Sequence, residues 1–292
     1  MRSFLFVPGD SDKKLIKALG VGADALLLDL EDSVAAGRKP AARETVRTFL
    51  AEHRSAPGRP KLYVRINGLD TPFWEDDLAV VMQAAPEGLL LPKARSGADM
   101  ARLAAMLDAH ERRSGTPAGA TRLLALTSEV PIGIFQMHTY AGCTPRLEGL
   151  TWGAEDLSAE LGATANRDPK GAYTSPYRLA RDLTLFAAYA AGVMAIDTVY
   201  TDLADLDGLR CDCIEAARDG FTAKMAVHPA QVAVINQVFT PSAAEIAHAE
   251  AVVKVFADNT STGVASLAGQ MLDRPHLLKA QRILSRARAA KI

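Results

Sequence analysis

The chain has 292 residues, 49% of them apolar, which is enough to bury one large core and is near the usual length of a single eight-fold β/α barrel. Lysine and arginine number 33 against 34 acidic residues, so the formal charge of −1 supplies no basic field for nucleic acid or an anionic membrane surface. No apolar run approaches the roughly 20 residues that a membrane-spanning helix needs. Three cysteines are too few and too oddly numbered for a disulfide framework, and Cys211-Asp-Cys213 lacks a second pair at zinc spacing. They are read as reduced thiols, which points to a cytoplasmic protein.

Short apolar runs recur along the chain, each followed by a helical pattern. The first, 3–7, is preceded by one arginine and followed by no small-residue cleavage site, so it reads as a strand rather than a secretion signal. Further runs follow at 25–30, 62–66, 88–91, 123–127 and 149–152. The last two are 198–200, with the residues just before it, and 223–227. They are nearly continuous in Leu, Val and Ile rather than alternating, as expected of parallel strands buried on both faces. Eight such runs alternating with helices predict an α/β fold, a closed (β/α)8 TIM barrel. Helix starts are marked by Thr71-Pro72, by Ser96-Gly-Ala-Asp99 and by the capping box Ser242-Ala-Ala-Glu245. Residues 161–176 are long for a βα loop and read as a lid over the barrel mouth. Residues 259–269 read as a flexible linker before a last helix at about 275–289. The predicted division is a catalytic barrel over 1–257 and a C-terminal linker and helical extension over 258–292.

TIM-barrel active sites lie at the C-terminal ends of the strands. There this sequence places Asp10, then Asp29, Glu31 and Asp32, then Arg65 and Asn67, then Lys93, Glu129, Glu155 and Asp156, Asp197 and His228. Glu129 and Asp156 directly follow apolar runs on adjacent strands. They are candidates either for a hard divalent cation, which keeps water or substrate oxygens in its other positions, or for ion pairs with Arg65 or Lys93. Arg65 has a planar fork that suits a substrate carboxylate or a developing enolate, or a structural ion pair with a strand-end acid. Lys93 has the same two readings. His228 is either an acid–base group or a helix cap.

The ordered set resembles the citrate lyase beta subunit/malyl-CoA lyase family within the aldolase and citrate lyase superfamily. The resemblance rests on Arg2-Ser-Phe-Leu-Phe-Val-Pro-Gly9, Asp29-Leu-Glu-Asp32, Val64-Arg-Ile-Asn67, Leu91-Pro-Lys93, Glu129 and Gly153-Ala-Glu-Asp156. It continues in Asp197, Lys224-Met-Ala-Val-His-Pro229, Gln231 and Gly269-Gln-Met-Leu-Asp-Arg-Pro275. It implies Mg2+, with Mn2+ possible on the same oxygen donors, held by Glu129 and Asp156, and it implies that Arg65 grips the substrate carboxylate or carbonyl. It further implies that Asp273 is an acid–base group delivered to a neighbouring subunit, that the nucleotide lies near Phe4, Asp10 and Lys13–Lys14, and that the protein is a homotrimer or hexamer. The candidate catalytic set is then Arg65, Asp273, Glu31 and Asp32; the substrate-binding set is Arg65, Lys93, Phe4 and Lys13. The implied reaction is Mg2+-dependent cleavage of a carbon–carbon bond in a 3-hydroxyacyl thioester. Its partners are an acyl-CoA or acyl-carrier thioester and a small 2-oxo acid. A metal-dependent aldolase on free 2-oxo acids and a carrier-dependent subunit of a complex are the alternatives. Loop 162–176 matches no particular subfamily, so the acyl group stays open.

Overall fold

The structure, a computed structural model, describes residues 1–258 and 263–290. Eight parallel strands close into one barrel in chain order. They are β1 (Ser3–Pro8), β2 (Ala25–Asp29), β3 (Lys61–Arg65), β4 (Gly88–Leu91), β5 (Arg122–Leu126), β6 (Leu147–Thr151), β7 (Met194–Asp197) and β8 (Ala223–Ala226). The predicted TIM barrel is therefore present. Its seventh strand ends at Asp197, earlier than the apolar residues 198–200 suggest. Around it lie α1 (Asp12–Ala18), α2 (Lys39–His53), α3 (Trp74–Val81), α4 (Gly97–Ser114), α5 (Pro131–Phe135), α6 (Ala154–Glu160), α7 (Ser175–Ala191), α8 (Leu206–Asp219) and α9 (Pro229–Phe239).

Alternation along the strands fills the barrel from inside. Phe4, Ala25, Leu27, Tyr63, Leu90, Leu124, Leu126, Ile196, Ala223 and Met225 form the interior cluster. The opposite faces of the strands pack on the helices in a second, larger core. One step further along β2 and β3 the inward positions are Asp29 and Arg65, which are register partners. The interior thus passes from hydrocarbon to charge within one pleat at the mouth.

Local chemistry sets several helix starts. Ser96 Oγ accepts the Ala98 N–H, and Asp205 Oδ1 accepts the Gly208 N–H. Ser242 and Glu245 form the expected reciprocal cap at the start of α10 (Ala243–Asp258). Thr71-Pro72 instead sits in a turn, Thr71 Oγ1 donating to the Gly68 carbonyl, and α3 begins at Trp74.

The C-terminal part differs from the predicted linker. Residues 259–262 of that stretch lie outside the described residues. Residues 263–269 are largely ordered into structure: β9 (Ala265–Leu267) and β10 (Gln270–Leu272) pair as an antiparallel hairpin leading into α11 (Arg274–Ala289). Ala249 and Val252 of α10 share a small core with Leu272 and Ala280, so α10 packs with the tail. The packing unit of the extension starts before residue 258.

A buried ion pair ties β6 to α4. Arg146 Nη1 donates to Glu111 Oε1 at 2.8 Å, while Glu111 also accepts the N–H groups of Gly119 (2.8 Å) and Thr121 (2.9 Å). Burial alone would raise the Glu111 pKa, but Arg146 and the two amides outweigh it and hold it at about 2. The stabilisation from this depressed acid is complete above its ordinary value of 4.5 and is lost as pH falls towards 2. Urea midpoints should fall through that window, and Glu111→Gln should flatten the decline. Arg146→Met, which strands a buried carboxylate, should cost about 3–5 kcal/mol at neutral pH in urea titrations.

Candidate active site

The mouth is built around Arg65. Its Nε donates to Asp29 Oδ1 at 2.7 Å and its Nη2 to Asp29 Oδ2 at 2.6 Å, a parallel two-bond fork. Glu31 Oε2 lies 2.8 Å from Nη1 without hydrogen-bond alignment and has no other partner. The Phe6 ring lies 4.7 Å under the guanidinium carbon. Asp29 also accepts the main-chain N–H groups of Glu31 (2.9 Å) and Ser33 (3.2 Å), which turns the chain after β2. Lys39 Nζ fixes the same turn from below, donating to the carbonyls of Leu30 (2.8 Å) and Glu31 (2.9 Å). Burial would raise the Asp29 pKa, yet Arg65 holds it below the ordinary range. For Glu31 burial prevails over Arg65 and Lys93, and the pKa is raised.

Glu129 lies in the bend that follows β5, and Asp156 in the first turn of α6. Glu129 is buried and its Oε2 accepts the Lys93 N–H at 2.6 Å. Lys93 adopts a left-handed backbone (φ 52°), and its ammonium reaches Glu31, Asp156 Oδ1 at 3.3 Å and Asp32 Oδ2 at 3.5 Å. Burial would lower the Lys93 pKa, but Glu31 and the other acids raise it, so it is a cation at neutral pH. Gly153 is required here for space: a Cβ would stand 2.6 Å from Glu129 Cγ. Burial, then Asp156, then Glu31 push the Glu129 pKa up to about 8.

The structure thus brings Arg65, Glu31, Asp32, Lys93, Glu129 and Asp156 into one cluster, in which the ion-pair reading is seen for both cations: Arg65 holds Asp29 and Glu31, and Lys93 holds Glu31, Asp32 and Asp156. Among the described residues no group of three or more His, Cys, Asp or Glu side chains is arranged to hold a metal. A hard cation here would have Glu129 and Asp156 and would draw its other ligands from water or substrate. Burial first, and then the neighbouring carboxylates, disfavour the charge on Glu129, and a divalent cation relieves that situation, so the donor set fits one.

Other predicted residues lie elsewhere. Phe4 is wholly buried inside the barrel, edge-on to Tyr63, where no nucleotide reaches it; this corrects its assignment to substrate binding. Lys13 and Lys14 are exposed on α1. Asp10 pairs with Arg38 at 3.6 Å. Asp197 points out of the barrel rather than into its mouth, taking hydrogen bonds from buried Lys224 (2.6 Å) and from Trp152 Nε1 (2.8 Å). Lys224 also reaches Asp212, which pairs with Arg167 of the long α6–α7 loop. Arg167 stacks 3.7 Å over Tyr173, and Asn166 donates to Glu155 Oε1, so this predicted lid is pinned at several points. His228 caps α9, its Nδ1 accepting the Ala230 N–H. Asp273 caps α11 together with His276, on the exposed tail. Asp29, Phe6 and Lys39 were absent from the candidate set. Asp29 and Phe6 had a usable signal, since both continue the inward alternation of strands whose earlier members are core.

Residues 2–229 match the family model described as HpcH/HpaI aldolase/citrate lyase. The chain belongs to the HpcH/HpaI aldolase/citrate lyase family. Relatives in that family include a citrate lyase subunit beta from Leuconostoc mesenteroides subsp. cremoris, 35% identical over 99% of this chain and 93% of the relative. A (3S)-malyl-CoA thioesterase from Cereibacter sphaeroides is 34% identical over 99% of this chain and 95% of its own length. Among solved structures, the CitE protein of Mycobacterium tuberculosis, in complex with magnesium, acetoacetate and coenzyme A, superposes with a TM-score of 0.78 at 33% identity, covering 98% of this chain and 97% of that one.

The raised pKa of Glu129 has a consequence for stability. The native state binds this proton more tightly than the unfolded chain does, so stability falls as pH rises from the ordinary value of 4.5 towards 8. Glu129→Gln imitates the protonated acid. In chelator-treated samples it should melt above wild type at pH 8, by on the order of several °C, and converge with it near pH 4.5. A gap independent of pH would exclude this assignment.

Proposed function

We propose that the chain is a Mg2+-dependent carbon–carbon lyase that cleaves a 3-hydroxyacyl-CoA, of the malyl- or citramalyl-CoA type, into an acyl-CoA and a small 2-oxo acid. The observation that carries this is a buried Glu129 facing Asp156 beside an arginine fork at the mouth of a TIM barrel. Glu129 and Asp156 would hold the cation, Mg2+ or Mn2+. When bound, the cation would supply Lewis-acid polarisation of the substrate oxygens.

The chain's own groups perform the remaining tasks. Arg65 is fixed by Asp29 and flattened on Phe6, so its N–H groups have one orientation. In that position it would hold the carboxylate or carbonyl of the 2-oxo acid portion and offset charge as the bond breaks. Glu31 has an oxygen with no hydrogen-bond donor and a raised pKa, which suits exchange of the substrate hydroxyl proton. Loss of that proton, cleavage between C2 and C3 and release of the 2-oxo acid leave the thioester enolate, which must take up a proton at carbon. Asp32, exposed and near Lys93, adds to the charge around the entrance.

Asp273 is the candidate for that last protonation. It stands on the tail hairpin, half exposed and hydrogen-bonded to His276, and a neighbouring copy would have to deliver it. Exposed apolar side chains at Phe135, Leu179 and Phe186 support self-association, and a homotrimer or hexamer is the assembly we infer. Lys13, on exposed α1, would meet coenzyme A phosphates. We place the protein in the cytoplasm on its reduced cysteines.

The test is incubation with Mg2+, acetyl-CoA or propionyl-CoA, and glyoxylate or pyruvate, with new acyl-CoA masses read by mass spectrometry. Hydroxyacyl-CoA products should form with wild type and fall by about 10²–10³-fold or more in Asp156→Ala and on chelation. Asp273→Ala should accumulate less product while binding Mg2+ normally. If wild type binds Mg2+ but converts no pair, carrier-protein thioesters or free 2-oxo acids become the substrates to test.

A further inference from the structure

A single lysine touches every carboxylate to which the proposed function assigns the cation. The main-chain N–H of Lys93 is 2.6 Å from Glu129 Oε2, and its ammonium is 3.3 Å from Asp156 Oδ1. The same ammonium is hydrogen-bonded to Glu31 and stands 3.5 Å from Asp32 Oδ2. Its side chain is only one-quarter exposed, so water screens these contacts incompletely.

The backbone makes this placement deliberate. Lys93 holds φ at 52°, a left-handed conformation that costs a residue with a Cβ and that glycine or asparagine would take more easily. That turn sends the N–H towards β5 and the side chain back towards β2, so the two halves of one residue face different acids. A cation between Glu129 and Asp156 would share Asp156 with the ammonium. Two positive charges on one carboxylate lie well inside the Debye length of about 8 Å, so ordinary salt does not separate them.

We propose that Lys93 is the resident counter-ion of the carboxylate cluster and that its ammonium competes with the divalent cation for Asp156, setting the metal affinity. The proposal rests on the reading of Glu129 and Asp156 as metal ligands. In it Lys93 has two separable tasks: the N–H aims Glu129, and the charge keeps metal binding weak enough to respond to cation concentration. Glu31 and Asp32 are where the ammonium goes when a cation takes Asp156.

Mn2+ is the probe, its binding to the full-length protein followed by the loss of the free-ion EPR signal and by calorimetry. Lys93→Met should tighten Mn2+ by about tenfold, because a nearby positive charge is lost. Lys93→Gly loses the same charge, keeps the N–H and relieves the left-handed backbone, and should tighten Mn2+ similarly. Lys93→Arg should stay near wild type. In chelator, Lys93→Met should melt below wild type, since Glu31 and Asp156 lose their partner, and Mn2+ should raise its melting temperature more than it raises that of wild type. Far-UV circular dichroism confirms that each variant is folded. No Mn2+ binding by wild type, or binding indifferent to Asp156→Asn, overturns the metal reading and this inference with it. Binding that depends on Asp156 but is unchanged or weakened in both neutral variants overturns this inference alone.

Discussion

The paired fork between Arg65 and Asp29 is the constraint on which the site depends. Asp29 is buried and Arg65 mostly so at the mouth, where an unpaired charge would cost several kcal/mol. Two parallel hydrogen bonds in the register of adjacent strands offset that cost and leave the guanidinium one orientation. Phe6 below it removes the remaining freedom of tilt. Asp29 then uses its spare acceptor capacity to fold the next four residues around itself, which delivers Glu31 to the far side of Arg65 and Asp32 to the rim. The geometry of the second strand end therefore follows from one ion pair.

Charge balance accounts for the other half of the cluster. Asp29, Glu31, Asp32, Glu129 and Asp156 outnumber Arg65 and Lys93, and Asp29 already neutralises much of Arg65. A cluster with too few cations has two responses: it can retain a proton or recruit a metal ion. Glu129, almost wholly enclosed, shows the first response in its raised pKa. Its enclosure comes from the close approach of Gly153, where any side chain would collide with it. The same enclosure favours a cation over water, because buried Glu129 beside half-buried Asp156 is a repulsion that Lys93 relieves only in part.

Much of this was legible in the sequence, and the reasons for the remainder are physical. Strand number, order and closure followed from continuous apolar runs, because a parallel sheet buried on both faces leaves that mark. Glu129, Asp156, Arg65, Glu31 and Lys93 were legible as polar groups ending such runs. Direction was harder to read. Asp197 also ends an apolar run, yet it lies one residue out of phase with the inward positions and faces Lys224 outside the strands. Phe4 carried the opposite error: it is in phase but two residues too deep, among the interior hydrocarbon. The hairpin at 265–272 was hidden because its strands are only three residues long and the stretch 259–269 in which it begins is rich in Ser, Thr and Gly, while packing with α10 and α11 decides its structure.

Lys93 shows why a strained residue can persist at such a place. Left-handed backbone on a lysine costs about 1–2 kcal/mol, and a glycine would form the turn without it. Glycine would supply the N–H that holds Glu129 but no charge to hold Glu31 and Asp156. Left without that charge, the acids would repel one another across the mouth and draw the surrounding strand ends apart. The strain is therefore offset by the electrostatic need of residues on three other strand ends. Arg65 is held by Asp29 within the barrel's register, while Lys93 reaches across it; together they make the mouth one electrostatic unit, in which moving any acid shifts the balance felt by all the others.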